Sequence, residues 1–119
     1  QAHRGIPTDC LAESIDIYPT LCELCGIPVP DSVEGQSFAP ALADPAAIPK
    51  DFALGLWRRS GTDGYSIRTD RYRLVRWGNN PDSPTQIDLF DYETDPLGKQ
   101  NVAASNPGIV TDLLERIPE

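Results

Sequence analysis

Between Phe52 and Tyr92, four short runs of aromatic and β-branched residues follow one another across gaps too short for a crossover, and this spacing constrains the fold more than any other feature. The runs are Phe52 to Arg58, Tyr65 to Thr69, Tyr72 to Trp77 and Ile87 to Tyr92, and Gly, Asp, Asn and Pro separate them. A parallel pair needs a connection of about a dozen residues or more. None of the gaps supplies that many, so the runs predict a four-stranded antiparallel meander. Asn106 and Pro107 then provide a cap and a first-turn proline for a helix reaching about Ile117. Its apolar face is Ile109, Val110, Leu113, Leu114 and Ile117, which predicts packing across the sheet.

Upstream of the strands the period is helical. Asp16 to Gly26 reads as a helix with both ends marked: Asp16 as acceptor for the free amides of the first turn, Pro19 inside that turn where its missing N–H is harmless, and Gly26 as a left-handed stop. Ile17, Leu21, Leu24 and Cys25 share one face, which predicts a docked amphipathic helix. Residues 10–15 are expected to be a short strand leading into it. A second short helix is expected from Ser37 to Ala43 with Ser37 as cap, and the proline-bearing stretch Asp44 to Lys50 is the expected boundary. The predicted class is α+β: an arm over residues 1–45, then a four-stranded antiparallel sheet with a C-terminal helix over residues 50–119.

The chain has 119 residues and a formal net charge of −8, which disfavours nucleic acid as a partner, and no apolar run is long enough to span a bilayer. The charge is unevenly spread. Six of the ten basic residues (Arg58, Arg59, Arg68, Arg71, Arg73 and Arg76) fall between positions 58 and 76, against only Asp63 and Asp70. Three cysteines rule out a complete intrachain disulfide framework. Cys22 and Cys25 form a CxxC, but no second pair follows and His3 is the only histidine, so both are expected to be small buried groups beside leucines. Gln1 is not an initiator methionine and no leader-like segment precedes the first helix, so the chain is expected to begin inside a longer one.

Three stretches together resemble the C-terminal part of sulfatases of the alkaline-phosphatase superfamily. The first is Glu13-Ser14-Ile15-Asp16-Ile17-Tyr18-Pro19-Thr20-Leu21 through Leu24-Cys25-Gly26-Ile27-Pro28, with Glu34-Gly35-Gln36-Ser37-Phe38. The second, Gly64-Tyr65-Ser66-Ile67-Arg68-Thr69-Asp70 with Tyr72-Arg73 and Trp77, is most similar to iduronate-2-sulfatase-type members. The third is Asp88-Leu89-Phe90-Asp91-Tyr92-Glu93-Thr94-Asp95-Pro96 with Gln100-Asn101-Val102-Ala103. The resemblance implies that the arm belongs to a large α/β catalytic domain carried by an upstream polypeptide. It also implies sulfate-ester hydrolysis, a sulfated glycan as substrate, calcium and formylglycine in the full-length enzyme, and a periplasmic, secreted or lysosomal location. A phosphatase or phosphonate-hydrolase tail is the alternative within the superfamily. A non-catalytic carbohydrate-binding or adaptor module is the alternative outside it.

The chemistry itself is not written in these residues. The family's formylglycine arises from Cys or Ser in C-x-P-S-R or a similar motif, whereas Cys10 precedes Leu-Ala-Glu, Cys22 precedes Glu-Leu-Cys and Cys25 precedes Gly-Ile-Pro. No residue is therefore assigned to catalysis. Asp88, Asp91, Glu93 and Asp95 are closely spaced, but the glycine and bidentate glutamate of a calcium loop are missing. Asp88 and Asp91 alternate across a strand, and all four acids are expected to be solvated strand and turn residues rather than metal ligands. His3 is expected to be a solvated terminal residue. The resemblance places the sheet at the rim of the active-site pocket, where arginine forks suit carboxylate or sulfate. Arg58, at the end of the first strand, and Arg68, opposite Tyr65 and Ile67, are the candidate substrate-binding residues. The competing expectation is that these arginines pair with Asp63, Asp70, Asp88 or Asp91.

Overall fold

A computed structural model describes residues 5–118 except Ser60, leaving aside the Arg59 side chain; His3 lies outside the described residues. The chain divides into two compact units, residues 1–53 and 54–119.

In the first unit, a 3₁₀ turn at Ser14–Asp16 leads into helix α1 (Ile17–Cys25), and a short helix α2 covers Ala39–Ala43. Residues 10–13 form no strand; the expected strand has no ladder partner in this unit. The C-terminal end of α1 follows the predicted chemistry. Gly26 takes φ 66°, its amide reaches Glu23 O, and the Ile27 amide reaches Cys22 O at 2.8 Å, the double closure that a left-handed residue permits. Asp16 acts differently from the expected cap. Its Oδ2 accepts the Glu13 amide at 2.8 Å, its Oδ1 accepts the Gln36 amide at 2.8 Å, and the Lys50 ammonium donates to both oxygens. Lys50 also pairs with Glu13. Ser37 does serve the start of α2, where its Oγ accepts the Ala39 amide.

The expected docking face of α1 is not covered within this chain. The buried residues are Pro19, Thr20 and Cys22, while Ile17, Leu21 and Leu24 are 52%, 55% and 57% exposed and Cys25 is exposed. Thr20 explains the inward face: its hydroxyl donates to Asp16 O and accepts the Phe38 amide, which ties α1 to the start of α2, where Ala39 and Ala41 are buried. The helix is thus held by small and polar groups, and its apolar stripe is left uncovered.

Strand β1 (Phe52–Arg59), which begins two residues before the second unit, forms one sheet in sequence order with that unit's β2 (Thr62–Thr69), β3 (Tyr72–Trp77) and β4 (Gln86–Asp91), and helix α3 covers Pro107–Leu114. The β2–β3 and β3–β4 pairs are antiparallel, with Ile67 opposite Leu74 and Leu74 opposite Leu89. These three side chains are fully buried and form the core of one face, with Leu113 and Ile117 also buried at the α3 end. Helix α3 packs beside β3 and stops at Leu114, three residues before the predicted end. Asn106 does not cap it by side chain; its amide group donates to Val102 O instead. The outer edge of β4 is closed by Asn101 and Val102: Asn101 Oδ1 accepts the Leu89 amide, its Nδ2 donates to Ile87 O, and the Val102 amide donates to Leu89 O. Those bonds satisfy groups that an open edge would expose.

Candidate functional site: an indole and arginine cleft on the open sheet face

The register separates the sheet into two faces. Gly64, Ser66 and Arg68 of β2, Arg73, Val75 and Trp77 of β3, and Asp88 and Phe90 of β4 lie opposite the Leu74 core face. On this face β2 contributes only Gly64 and Ser66 in its central part, so large side chains from β1 and β3 can meet above it. Gly64 is needed for that approach: a Cβ there would lie 2.6 Å from the six-membered ring of Trp77. A Cβ added at Gly55 would lie 3.0 Å from the Ser66 hydroxyl and 3.5 Å from the Trp57 ring.

The result is a cleft of roughly 400 Å3 lined by Trp57, Arg58, Arg73, Val75 and Trp77, within the range of about 300–1,000 Å3 typical of small-ligand pockets. Its two indoles differ in freedom. The Trp77 Nε1–H donates to Asp88 Oδ2 at 3.0 Å, which fixes the ring, whereas Trp57 is 45% exposed. The guanidinium of Arg73 lies 5.2 Å from the centre of the Trp57 ring. Arg73 has no carboxylate or hydrogen-bonding partner among the described residues, so the indole orients a fork whose donors remain open. Asp88, on the same face, turns its carboxylate oxygens to Trp77, Gln86 and Asn101 and makes no ion pair with Arg73.

Arg58 and Arg68 fall in different places. Arg58 lines this cleft but pairs through Nε with Asp63 Oδ1 at 2.9 Å, and its own side chain is 76% exposed. Arg68 lies at the opposite end of β2, 4.0 Å from the centre of the Tyr92 ring, in a second hollow with Asp70, Arg71, Tyr92 and Glu93. The structure therefore does not bring the two predicted arginines together. Arg73, which the sequence reading did not select, carries the open guanidinium of the indole cleft. The signal that points to it is the pair of small residues, Gly64 and Ser66, on the strand between two strands bearing tryptophans.

The acidic segment is built into the fold. Arg71 clamps Asp91 with two bonds of 2.9 and 2.8 Å and also pairs with Glu93. The Arg71 bonds hold the Asp91 carboxyl down at about 2, and Asp91 is buried, not solvated as expected. Asp95 accepts the amides of Gln100 and Lys99, which keep its carboxyl below the usual range. At Asp16 burial pushes the carboxyl up, but the bonds from Lys50 and the Glu13 and Gln36 amides outweigh it and hold it below the usual value. Among the described residues no three His, Cys, Asp or Glu side chains converge in a metal-binding arrangement. Both oxygens of Asp88 and of Asp91, and Oδ2 of Asp95, accept protein donors.

A family model described as N-sulphoglucosamine sulphohydrolase, C-terminal, matches residues 1–118. The chain belongs to this sulfatase C-terminal family. Among sulfatase relatives, chicken (Gallus gallus) arylsulfatase K is 32% identical over 108 residues, covering 83% of the chain and 20% of that protein. A solved structure of a 2-O GAG sulfatase is 27% identical with a TM-score of 0.67, over 82% of the chain and 22% of its own. The fold is shared with a solved protein in complex with its substrate D-glucosamine-2-N,6-O-disulfate, at 23% identity and a TM-score of 0.70, over 84% of the chain and 22% of that structure. This sulfatase segment spans about a fifth of the length of the relatives it matches.

Proposed function

We propose that this chain works as the C-terminal part of an enzyme that hydrolyses sulfate esters of an acidic glycan, and that it supplies scaffold and pocket rim but not the groups that break the S–O bond. The family match supports the sulfatase reading, and the observation that carries the division of labour is the character of the cleft. It offers two indoles, an open arginine and a paired one, which suit holding an anionic sugar. None of the described residues that line it is a nucleophile with an adjacent base. Calcium and formylglycine then belong to the upstream polypeptide, where the metal would offset sulfate charge during attack. The likeness to a 2-O GAG sulfatase supports the finer reading, that the enzyme is of the iduronate-2-sulfatase type and acts on a sulfated uronate.

The arm has a separate part in this reading. Ile17, Leu21 and Leu24 form an uncovered apolar stripe on a helix whose other face is already anchored. A contiguous apolar surface of this sort marks an interaction site. The upstream catalytic domain is the occupant, with residues 1–45 docking on it and residues 50–119 forming the sheet subdomain. Sulfate release from a 2-O-sulfated disaccharide tests the proposal. The chain alone is expected to release none above buffer, and the polypeptide extended through the upstream catalytic region is expected to turn over. Turnover by the chain alone would overturn the assignment.

A further inference from the structure

Among the described residues, Arg73 is the one cleft arginine whose guanidinium is both oriented and unspent. Its neighbour Arg58 is paired with Asp63, and Arg71, outside the cleft, is paired with Asp91 and Glu93. A planar fork resting against an indole loses little freedom on taking up a second partner. The exposed part of Trp57 provides an apolar ring beside it, and Val75 and the fixed Trp77 wall the cleft.

We propose that Trp57 and Arg73 form a subsite for one anionic pyranose ring of the glycan, the sugar's apolar face against the Trp57 indole and its carboxylate or sulfate on the Arg73 fork. This rests on the reading of the chain as part of an enzyme for acidic glycans, and it names the residues that select the sugar. Charge complementarity favours this occupant over a neutral sugar. The segment from Arg58 to Arg76 is net positive within an acidic chain, Asp63 is paired with Arg58, and the Asp88 oxygens are turned to Trp77, Gln86 and Asn101. The role is binding and orientation; neither side chain supplies chemistry to the ester.

The test uses the two tryptophans as reporters. A heparin-derived tetrasaccharide is titrated into the 119-residue chain at low salt, with its chemically desulfated form and maltotetraose as comparisons, and indole fluorescence gives the dissociation constant. Binding of the sulfated form, loss of roughly tenfold or more in affinity on Arg73→Gln or Trp57→Ala, and weakening by added salt are expected. Trp57→Phe should retain most of the affinity, and Lys99→Gln, in the exposed turn after β4 and outside the cleft, should stay within about twofold. Loss confined to the desulfated form assigns the Arg73 partner to sulfate; its retention assigns it to the uronate carboxylate. Equal binding of maltotetraose, or wild-type affinity in both Arg73→Gln and Trp57→Ala, overturns the subsite. In the extended, active polypeptide the same two variants should raise KM with little change in kcat. Unchanged KM in an enzyme that releases sulfate would sink the subsite and leave the sulfatase reading standing. Tetrasaccharide binding that depends on Trp57 and Arg73, in an extended polypeptide that releases no sulfate, would do the reverse.

Discussion

Replacing Asp16 by alanine should cost more stability than any single surface change in the first unit. Asp16 is 1% exposed and accepts the backbone amides of Glu13 and Gln36, each at 2.8 Å, besides the Lys50 ammonium at 2.7 and 2.9 Å. The alanine variant strands two amides and leaves Lys50 with Glu13 alone. A stranded buried donor costs about 1–3 kcal/mol, and breaking a buried charge pair from one side costs about 3–5 kcal/mol. These losses share the same atoms and do not add in full, so about 3–5 kcal/mol is expected for the whole. Asp16→Asn keeps one acceptor oxygen for one amide and turns an NH2 group toward the other donors, so it should fall between wild type and alanine. Urea unfolding followed by hydrogen exchange at Glu13 and Gln36 measures both. A loss below about 0.5 kcal/mol, with those amides still protected, would refute the claim that the carboxylate organises this unit.

Three further outcomes follow from other buried groups. Arg76 is 7% exposed, its Nε has no hydrogen-bonding partner among the described residues, and its guanidinium lies 4.7 Å from the centre of the Tyr65 ring, so Arg76→Met should leave stability unchanged or raise it by about 1–2 kcal/mol in thermal or urea unfolding; a loss of more than about 2 kcal/mol would contradict this. Asp91 has a folded pKa of about 2 against an ordinary 3.8, so its pairing with Arg71 stabilises fully above the unfolded value and is lost as pH falls from about 4 toward 2. Asp91→Asn should flatten stability in that window, and an unaltered acid profile would count against the pairing. Gly64→Ala should destabilise the sheet by about 1–3 kcal/mol and redshift Trp77 emission, because the new methyl falls on its ring; normal stability and emission would show that the ring has room to move.

The sheet was legible because its signals are local. Alternation identifies each strand, and gaps this short leave antiparallel pairing as the available topology, which the register of Ile67, Leu74 and Leu89 follows. Gly26 was legible for the same reason, since a left-handed stop needs only its own backbone. The partners of Asp16 were not, because Gln36 and Lys50 stand 20 and 34 residues away, and a cap and a long-range acceptor look alike in sequence. The α1 stripe was legible as an apolar face, but its cover was not. Periodicity shows which face wants burial, not whether the covering surface is in the same chain. Cys25 went with that stripe and is exposed, while Cys22 went with the anchored face. Arg58 was chosen for its place at the end of the first strand and Arg68 for the sheet face it occupies. Arg73 escaped because its meaning depends on a tryptophan two strands away and on small residues between.

The central claim is that this segment completes a sulfatase through its α1 stripe without supplying the chemistry, and complementation tests it most directly. The upstream catalytic polypeptide, made separately and charged with calcium, is assayed for sulfate release with and without the 119-residue chain. Release should be weak alone and rise on adding the chain, and it should fail to rise when Leu21 and Leu24 are both replaced by aspartate. Full activity of the upstream polypeptide alone, or equal rescue by the Leu21→Asp, Leu24→Asp chain, would contradict the account.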